Sequence, residues 1–304
     1  MAYNIVVLVK QVPDTKRITG KAMRDDGTVN RSALPAIFNP EDLHALEMAL
    51  VVREAHGGSV TVITMGPPTA AEVLREALYR GADRVILLSD IRAAASDTLA
   101  TSYILNCAVR KLGEVDLVFC GRQAIDGDTA QVGPQCAEKL GIPQITYVQE
   151  IQSLSDRTIR ARRNTDAGFQ IVEARLPVLL TVVDAANDPR YPAARRLMRF
   201  KRAFTATEVS RAIKRENPQI DPQVHEQRTR EAVRDLQLQG LLIEEWNLDT
   251  IRADLAWCGR DGSPTKVHRI QSIVLKASAT KDIPASRTSI TSLVHELIED
   301  HTIG

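Results

Sequence analysis

The first 150 residues alternate between two kinds of segment, and this alternation limits the possible folds more than any other feature. "NIVVLVKQV", "SVTVITMG", "ADRVILLSD", "VDLVFCG" and "PQITYVQEI" are short, apolar and mostly rich in β-branched residues. Between them lie "PEDLHALEMALVVREAHG", "TAAEVLREALYRG", "DTLATSYILNCAVRKLG" and "TAQVGPQCAEKLG", each with apolar residues at helical spacing and a glycine at its end. Asp97 stands where the third helix needs an N-cap. Parallel strands need helical crossovers, so the expected fold is α/β: a doubly wound, mainly parallel sheet with helices on both faces.

The pattern then changes. "TIRARRN" and "GFQIVEARLPVLLTVV" read as consecutive antiparallel strands that extend or cover the sheet. "DAANDPRYPAARRLMRFKRA" is basic and proline-bearing, and residues 205–260 are polar and mostly helical in pattern. "KVHRIQSIVL" reads as a short strand and "TSITSLVHELIEDH" as a final amphipathic helix. The expected division is an α/β nucleotide-binding domain over residues 1–184 and an extended docking segment and arm over residues 185–304. Leu197, Met198 and Phe200 are too few to pack on themselves, so the arm is expected to need a partner surface.

Net charge is +1, so no global field recruits nucleic acid or an anionic membrane. The longest apolar run, "LPVLLTVV", is too short to span a bilayer, and "MAYNIVVLVK" lacks a basic leader, so a cytoplasmic protein is expected. Cys107, Cys120, Cys136 and Cys258 form no C-x-x-C and no metal-ligand spacing. They are expected to be reduced thiols packed as small hydrophobes, with no metal site.

In open α/β sheets the ligand lies beyond the carboxyl ends of the strands, where strand order reverses. With the first strand central, that crevice opens between the first and fourth strands. It is flanked by Lys10 and by the loop in "CGRQAIDGDTAQVGPQ", residues 120–135. Gly121 and Gly127 let backbone amides approach an anion. Asp128 or Thr129 is a candidate cap for the next helix, whose first amides favour phosphate. Thr129 and Gln131 add neutral donors, while Asp126 and Asp128 hold the loop, cap it or meet ribose hydroxyls. A tight turn plus an N-cap explains the same loop without a ligand. Three further loops share the rim: "NPEDL", "TMGPP" with Met65 and Gly66, and "SDTLATS" with Asp97, Thr98 and Thr101. "GSPTKVHR", with Ser263, Thr265, Lys266 and Arg269, is either a phosphate contact or a solvated turn, and the lone His268 is read as structural. No nucleophile–base triad or carboxylate pair points to hydrolysis.

These segments resemble one family nearly end to end: "VLVKQVPD", "NPEDLHALEMAL", "GADRVILLSD", "GRQAIDGDTAQVGPQ", "LPVLLTVVDAANDPRYPAARRLMRFKR" and "CGRDGSPTKV" are similar to the β subunit of electron transfer flavoproteins, the FixA type. The resemblance implies an adenine-nucleotide α-hydrolase-like fold and an α-subunit partner that carries FAD. It implies AMP at the β-subunit site in housekeeping members and a second FAD in electron-bifurcating members. Nucleotide contacts are then implied at Leu8, Asn39, Pro40, Glu41, Asp42 and Met65. The loop adds Gly121, Arg122, Gln123, Ala124, Ile125, Asp126, Gly127, Asp128, Thr129, Ala130, Gln131 and Val132. "DGDTAQVGP", "TMGPP" and "DTLATS" resemble the bifurcating subgroup, with small Gly127 and Ala130 leaving room for a dinucleotide and a nearby nicotinamide.

The resemblance therefore implies an electron-transfer subunit of an oxidoreductase that takes electrons from NADH. One electron would pass to a low-potential acceptor such as ferredoxin or flavodoxin. The other would pass through the α-subunit FAD to an acyl-CoA-type dehydrogenase. Docking on that dehydrogenase is implied at Arg190, Tyr191, Ala194, Arg195, Arg196, Leu197 and Met198, with Ala194 standing where the family's leucine anchor falls. The alternative is a subunit that holds AMP structurally.

Overall fold

The computed structural model describes residues 2–14, 34–266 and 282–299. The strand expected in "KVHRIQSIVL", with His268 and Arg269, lies outside the described residues except for Lys266. The N-terminal strand β1 (Tyr3–Val9) sits at the centre of the sheet, parallel to β4 (Gly58–Met65) on one side and β6 (Leu117–Gly121) on the other. A separate short ribbon pairs β2 (Gln11–Pro13) with β3 (Ala36–Phe38). Outward from β4 lies β5 (Arg84–Leu88); outward from β6 lie β10 (Val178–Val182) and β7 (Gln144–Ser155). The third, second, first and fourth expected strands thus stand side by side, and the crevice falls between β1 and β6.

Helices α1 (Pro40–His56) and α2 (Ala71–Arg80) cover one face, and α3 (Thr98–Leu112) and α4 (Val132–Leu140) the other. β1 shows why its run is apolar throughout. Ile5, Val7 and Val9 pack toward α1 with Leu46, Leu50 and Phe119, while Val6 and Leu8 pack toward α3 with Ile63, Ile104 and Leu179. Cys120, Cys136 and Cys258 are buried as small core residues, and Cys107 is half-buried.

One expectation needs correction. "GFQIVEARLPVLLTVV" is two strands, separated around Pro177, which cannot donate to a ladder. β9 (Gly168–Arg175) is the mostly exposed edge of an antiparallel meander with β8 (Thr158–Thr165) and β7. β10 returns to the sheet interior, parallel to β6 and β7, with all five residues buried. The difference was visible in composition: "VLLTV" is apolar on both faces, whereas "GFQIVEAR" alternates.

Part of the segment from residue 185 onward is built into this body. β11 (Glu244–Trp246) adds a parallel edge strand beside β5, and Trp246, Leu248 and Ile251 are buried in the core on the α3 face. After α5 (Ala194–Phe200), Phe200 and Ala203 join the core on the α1 face. Arg75, 5% exposed, reaches from α2 to the Ala203 carbonyl and to Glu208, the capping-box residue of α6 (Ala206–Glu216). α7 (Pro222–Leu238) packs on α6 and buries no residue fully. α8 (Arg287–Glu299) leaves Ile290, Val294 and Ile298 exposed at four-residue spacing. Among the described residues, no helix is long and apolar enough to cross a membrane.

Candidate nucleotide-binding site

The crevice is shaped by the first turn of α1. Pro40 occupies its first position, where a missing N–H costs nothing. Asn39, Glu41 and Asp42 are all buried, and each reaches across to backbone of neighbouring segments. Asp42 Oδ2 accepts the Lys10 N–H at 2.8 Å and Oδ1 accepts the Gly121 N–H at 3.0 Å, so one carboxylate bridges the ends of β1 and β6. Glu41 accepts the Gln123 N–H at 3.1 Å and the Arg122 guanidinium at 2.7 Å. Asn39 donates to the Gln123 carbonyl at 2.9 Å and accepts the Ile125 N–H at 3.2 Å. These side chains face the root of the loop over residues 121–132. Acidic groups are favoured at a helix N-terminus, and here they satisfy amides that would otherwise be orphaned.

Gly121 is required for a different reason from the one expected. A Cβ there would lie 2.6 Å from Asp42 Oδ1 and 2.7 Å from the Glu41 carbonyl carbon, so its smallness admits α1. Gly133, not singled out in the sequence, does the same for α4: a Cβ would meet Cys120 Sγ at 2.8 Å. A Cβ on Gly127 would meet nothing within 4 Å.

Beyond its root the loop is tied by its own charges. Lys10 Nζ pairs with Asp126 at 2.7 Å across the crevice, and Asp128 accepts Gln123 Nε2 at 2.9 Å. Both aspartates hold the loop, as expected, but neither Asp128 nor Thr129 caps α4. That helix begins at Val132, and Gln131 before it has no side-chain cap. Asp128 (φ 48°) and Ala130 (φ 52°) are left-handed, a conformation that costs alanine roughly 1–2 kcal/mol, and Gln131 after them is right-handed, the alternation found in anion-binding nests. The amides of Thr129, Ala130, Gln131 and Val132 have no hydrogen-bond acceptor among the described residues. With the start of α4 behind them, they form a cup of N–H groups suited to an anion.

The other rim residues take up distinct positions. Leu8 is buried toward α3, Met65 is half-buried on the same face, and Gly66 donates to the Leu88 carbonyl at 3.0 Å. Asp97 caps α3 by accepting the Ala100 N–H at 2.9 Å, as expected, and Thr101 continues that first turn. Thr98 Oγ1 donates to Gln131 Oε1 at 2.9 Å, which brings the starts of α3 and α4 together. Ala124, in the loop bend, accepts the Asp128 N–H at 3.0 Å. Reasoning from sequence missed Tyr147. It lies on a β7 irregularity at φ 59°, its N–H donates to Thr181 Oγ1 at 3.0 Å, and the Arg122 guanidinium lies 5.9 Å from its ring centre.

The basic run divides in two. Arg190 is spent on Glu47 and Glu54, and Arg196 on the Leu78 and Ala82 carbonyls at the end of α2. Tyr191, Ala194, Arg195, Leu197 and Met198 are exposed.

The electron transfer flavoprotein domain matches residues 26–214 of this chain. The electron transfer flavoprotein subunit beta of Clostridium acetobutylicum is 38% identical over 300 residues, covering 99% of this chain and all of that one. Protein FixA of Azorhizobium caulinodans is 50% identical over 206 residues, 66% of this chain and 73% of its own. The caffeyl-CoA reductase-Etf complex subunit CarD of Acetobacterium woodii is 38% identical over 301 residues, 98% of this chain and 99% of its own.

Burial pushes the Asp42 carboxyl up to about 7, against the hydrogen bonds that favour its charge. The native state then holds this proton more tightly than the unfolded chain does. This group's contribution to stability is greatest below the ordinary carboxylate range, declines as pH rises to about 7, and is flat above. The decline is at most about 1.4 kcal/mol per pH unit. Urea unfolding between pH 5 and 8 should show this downward slope in the wild type and a flatter one in Asp42→Asn. Parallel profiles would mean that Asp42 is not the titrating group.

Proposed function

This chain belongs to the electron transfer flavoprotein family, and from that premise we propose that it is a β subunit binding FAD at the crevice between β1 and β6. Its role is electron transfer. The cup of unengaged amides at residues 129–132 is the observation that carries the placement, because it offers donors where a nucleotide pyrophosphate needs them. The loop's own carboxylates do not oppose this: Asp126 is paired with Lys10, and Asp128 is held by Gln123. Gly127 is exposed and a Cβ there would meet nothing within 4 Å, so this point of the loop does not itself crowd a group larger than a mononucleotide.

Bound FAD would supply the step from two-electron oxidation of NADH to single-electron transfers, one to ferredoxin or flavodoxin and one through the α-subunit FAD to an acyl-CoA-type dehydrogenase. The protein's part is to bind and orient. The α1 bracket fixes the loop before the ligand arrives, so little ordering cost remains at binding. The residues named for nucleotide contact then fall into two roles. Thr129, Ala130, Gln131 and Val132 meet phosphate, while Asn39, Glu41 and Asp42 hold the loop that does so.

Residues 1–184 supply this site, and the segment from residue 185 supplies partner surfaces. Tyr191, Leu197 and Met198 form the apolar contact for the dehydrogenase, with Arg195 at its edge; Arg190 and Arg196 shape the segment from within. The exposed stripe on α8 faces the α subunit.

A second reading is a subunit that holds AMP only. The same cup suits a single phosphate, so the loop fits either ligand. Flavin released from the purified heterodimer separates them: about two per complex for the FAD reading and about one for AMP. Gly127→Val should leave stability unchanged, since the added carbons meet open space, yet lower nucleotide occupancy severalfold. Full occupancy in that variant after gel filtration would remove the ligand from this loop.

For docking, Arg195→Glu with a change of the exposed Lys201, which follows α5, to glutamate should slow transfer to the dehydrogenase and leave flavin content and NADH reduction as they were. The wild-type rate should fall with salt, because such charges act over roughly 8 Å at physiological ionic strength. A rate insensitive to both the variant and salt would make the basic run a solvated face.

A further inference from the structure

The loop "GRDGSPT", residues 259–265, belongs to the distal third of the chain, yet it is fastened to the first turn of α3. The Gly259 N–H donates to Ser96 Oγ at 3.0 Å. Ser263, 4% exposed, accepts the Asp97 N–H on its hydroxyl at 2.9 Å and donates that hydroxyl to the Gly259 carbonyl at 2.6 Å. Thr265 donates both its N–H (3.0 Å) and its hydroxyl (2.6 Å) to Asp97 Oδ2. A Cβ on Gly259 would lie 2.1 Å from the Arg92 carbonyl oxygen, and one on Gly262 2.3 Å from the Cys258 nitrogen. The loop's close approach therefore depends on Gly259, and its own tight turn on Gly262.

We propose that residues 259–265 are a strap whose Ser263 and Thr265 are positioning residues for nucleotide binding: Ser263 fastens the strap to the Asp97 amide, and Thr265 covers the Asp97 carboxylate so that it does not oppose the bound phosphate. The inference rests on the reading of the crevice as a nucleotide site. Asp97 has two oxygens and two tasks. Oδ1 caps α3 through Ala100, and Oδ2 is taken up by the strap. The next residue, Thr98, bonds Gln131, whose amide belongs to the anion cup. A carboxylate one residue from that contact would repel an anion unless its charge were engaged elsewhere, and two donors on one oxygen engage it. Burial disfavours the ionised Asp97, yet its hydrogen bonds with Ala100 and Thr265 outweigh burial and keep its carboxyl below the usual range. The ionised group thus persists at neutral pH and needs covering.

The test uses the complex of this chain with its α subunit, the α subunit loaded with FAD and this chain's crevice emptied of nucleotide, with further FAD titrated in and the second equivalent read from flavin fluorescence. Thr265→Val removes the hydroxyl donor and keeps the amide. It should weaken FAD about tenfold, the equivalent of about 1.4 kcal/mol, while Thr265→Ser stays within about twofold of wild type. The decisive variant adds Asp97→Asn to Thr265→Val. Neutralising the uncovered carboxylate should restore most of the affinity, which repairing a merely structural defect would not do. If Thr265→Val fails to fold, Thr265→Ala paired with Asp97→Asn makes the same comparison, because it removes the same hydroxyl from the Asp97 carboxylate. Wild-type affinity in Thr265→Val, or a loss that Asp97→Asn does not recover, overturns the strap while the nucleotide site stands. A wild-type complex that binds neither a second FAD nor AMP overturns the site and the strap together.

Discussion

The organisation of the crevice depends on one carboxylate that accepts one amide from each side of it. Asp42 joins the end of β1 at Lys10 to the start of the loop at Gly121, just beyond Leu8 and Cys120, the last paired residues of the two strands. Glu41 and Asn39 extend the same grip to Gln123 and Ile125. A buried carboxylate is costly, and the raised Asp42 pKa expresses that cost. The gain is a loop root whose amides are satisfied by protein, so that the amides left over sit at its far end, against α4. Ala130 in a left-handed conformation is the local strain this arrangement carries.

The order of the strands and the place of the crevice were legible in the sequence because both follow from periodicity and from the rule for parallel sheets. β10 was misread because it follows an antiparallel strand without a helix between, so nothing local announces its return to the interior; only the apolar character of "VLLTV" on both faces does. At the site, the residues that meet were legible but their roles were not. "NPED" and "GRQAID" were both singled out, but no spacing rule states that the first bonds the backbone of the second, 79 to 86 residues away. Gly121 likewise looks like a ligand glycine until the approach of α1 is seen. Tyr147 gave no signal at all, since its backbone conformation arises from a sheet irregularity.

The segment after residue 185 serves two ends. Trp246, Leu248 and Ile251 complete the core, and residues 259–265 fasten to the rim of the crevice. Tyr191, Met198 and the stripe on α8 remain exposed. An electron-transfer subunit needs both properties. Its cofactor must be held still, because transfer depends on geometry, while partners must be met on surfaces that release them. One stretch of chain carries both: it is anchored at the rim of the crevice through residues 259–265 and exposed at Tyr191, Met198 and α8.

The central claim is that preset amides at the start of α4 receive the phosphate while the α1 bracket holds the loop. Backbone amide resonances of the isotopically labelled chain, in its complex and titrated with AMP, test this directly. The account predicts large shifts at Thr129, Ala130, Gln131 and Val132 and small ones at Lys10, Gly121, Gln123 and Ile125, whose amides are already bonded. Shifts concentrated at the bracketed amides, or none near α4, would contradict it.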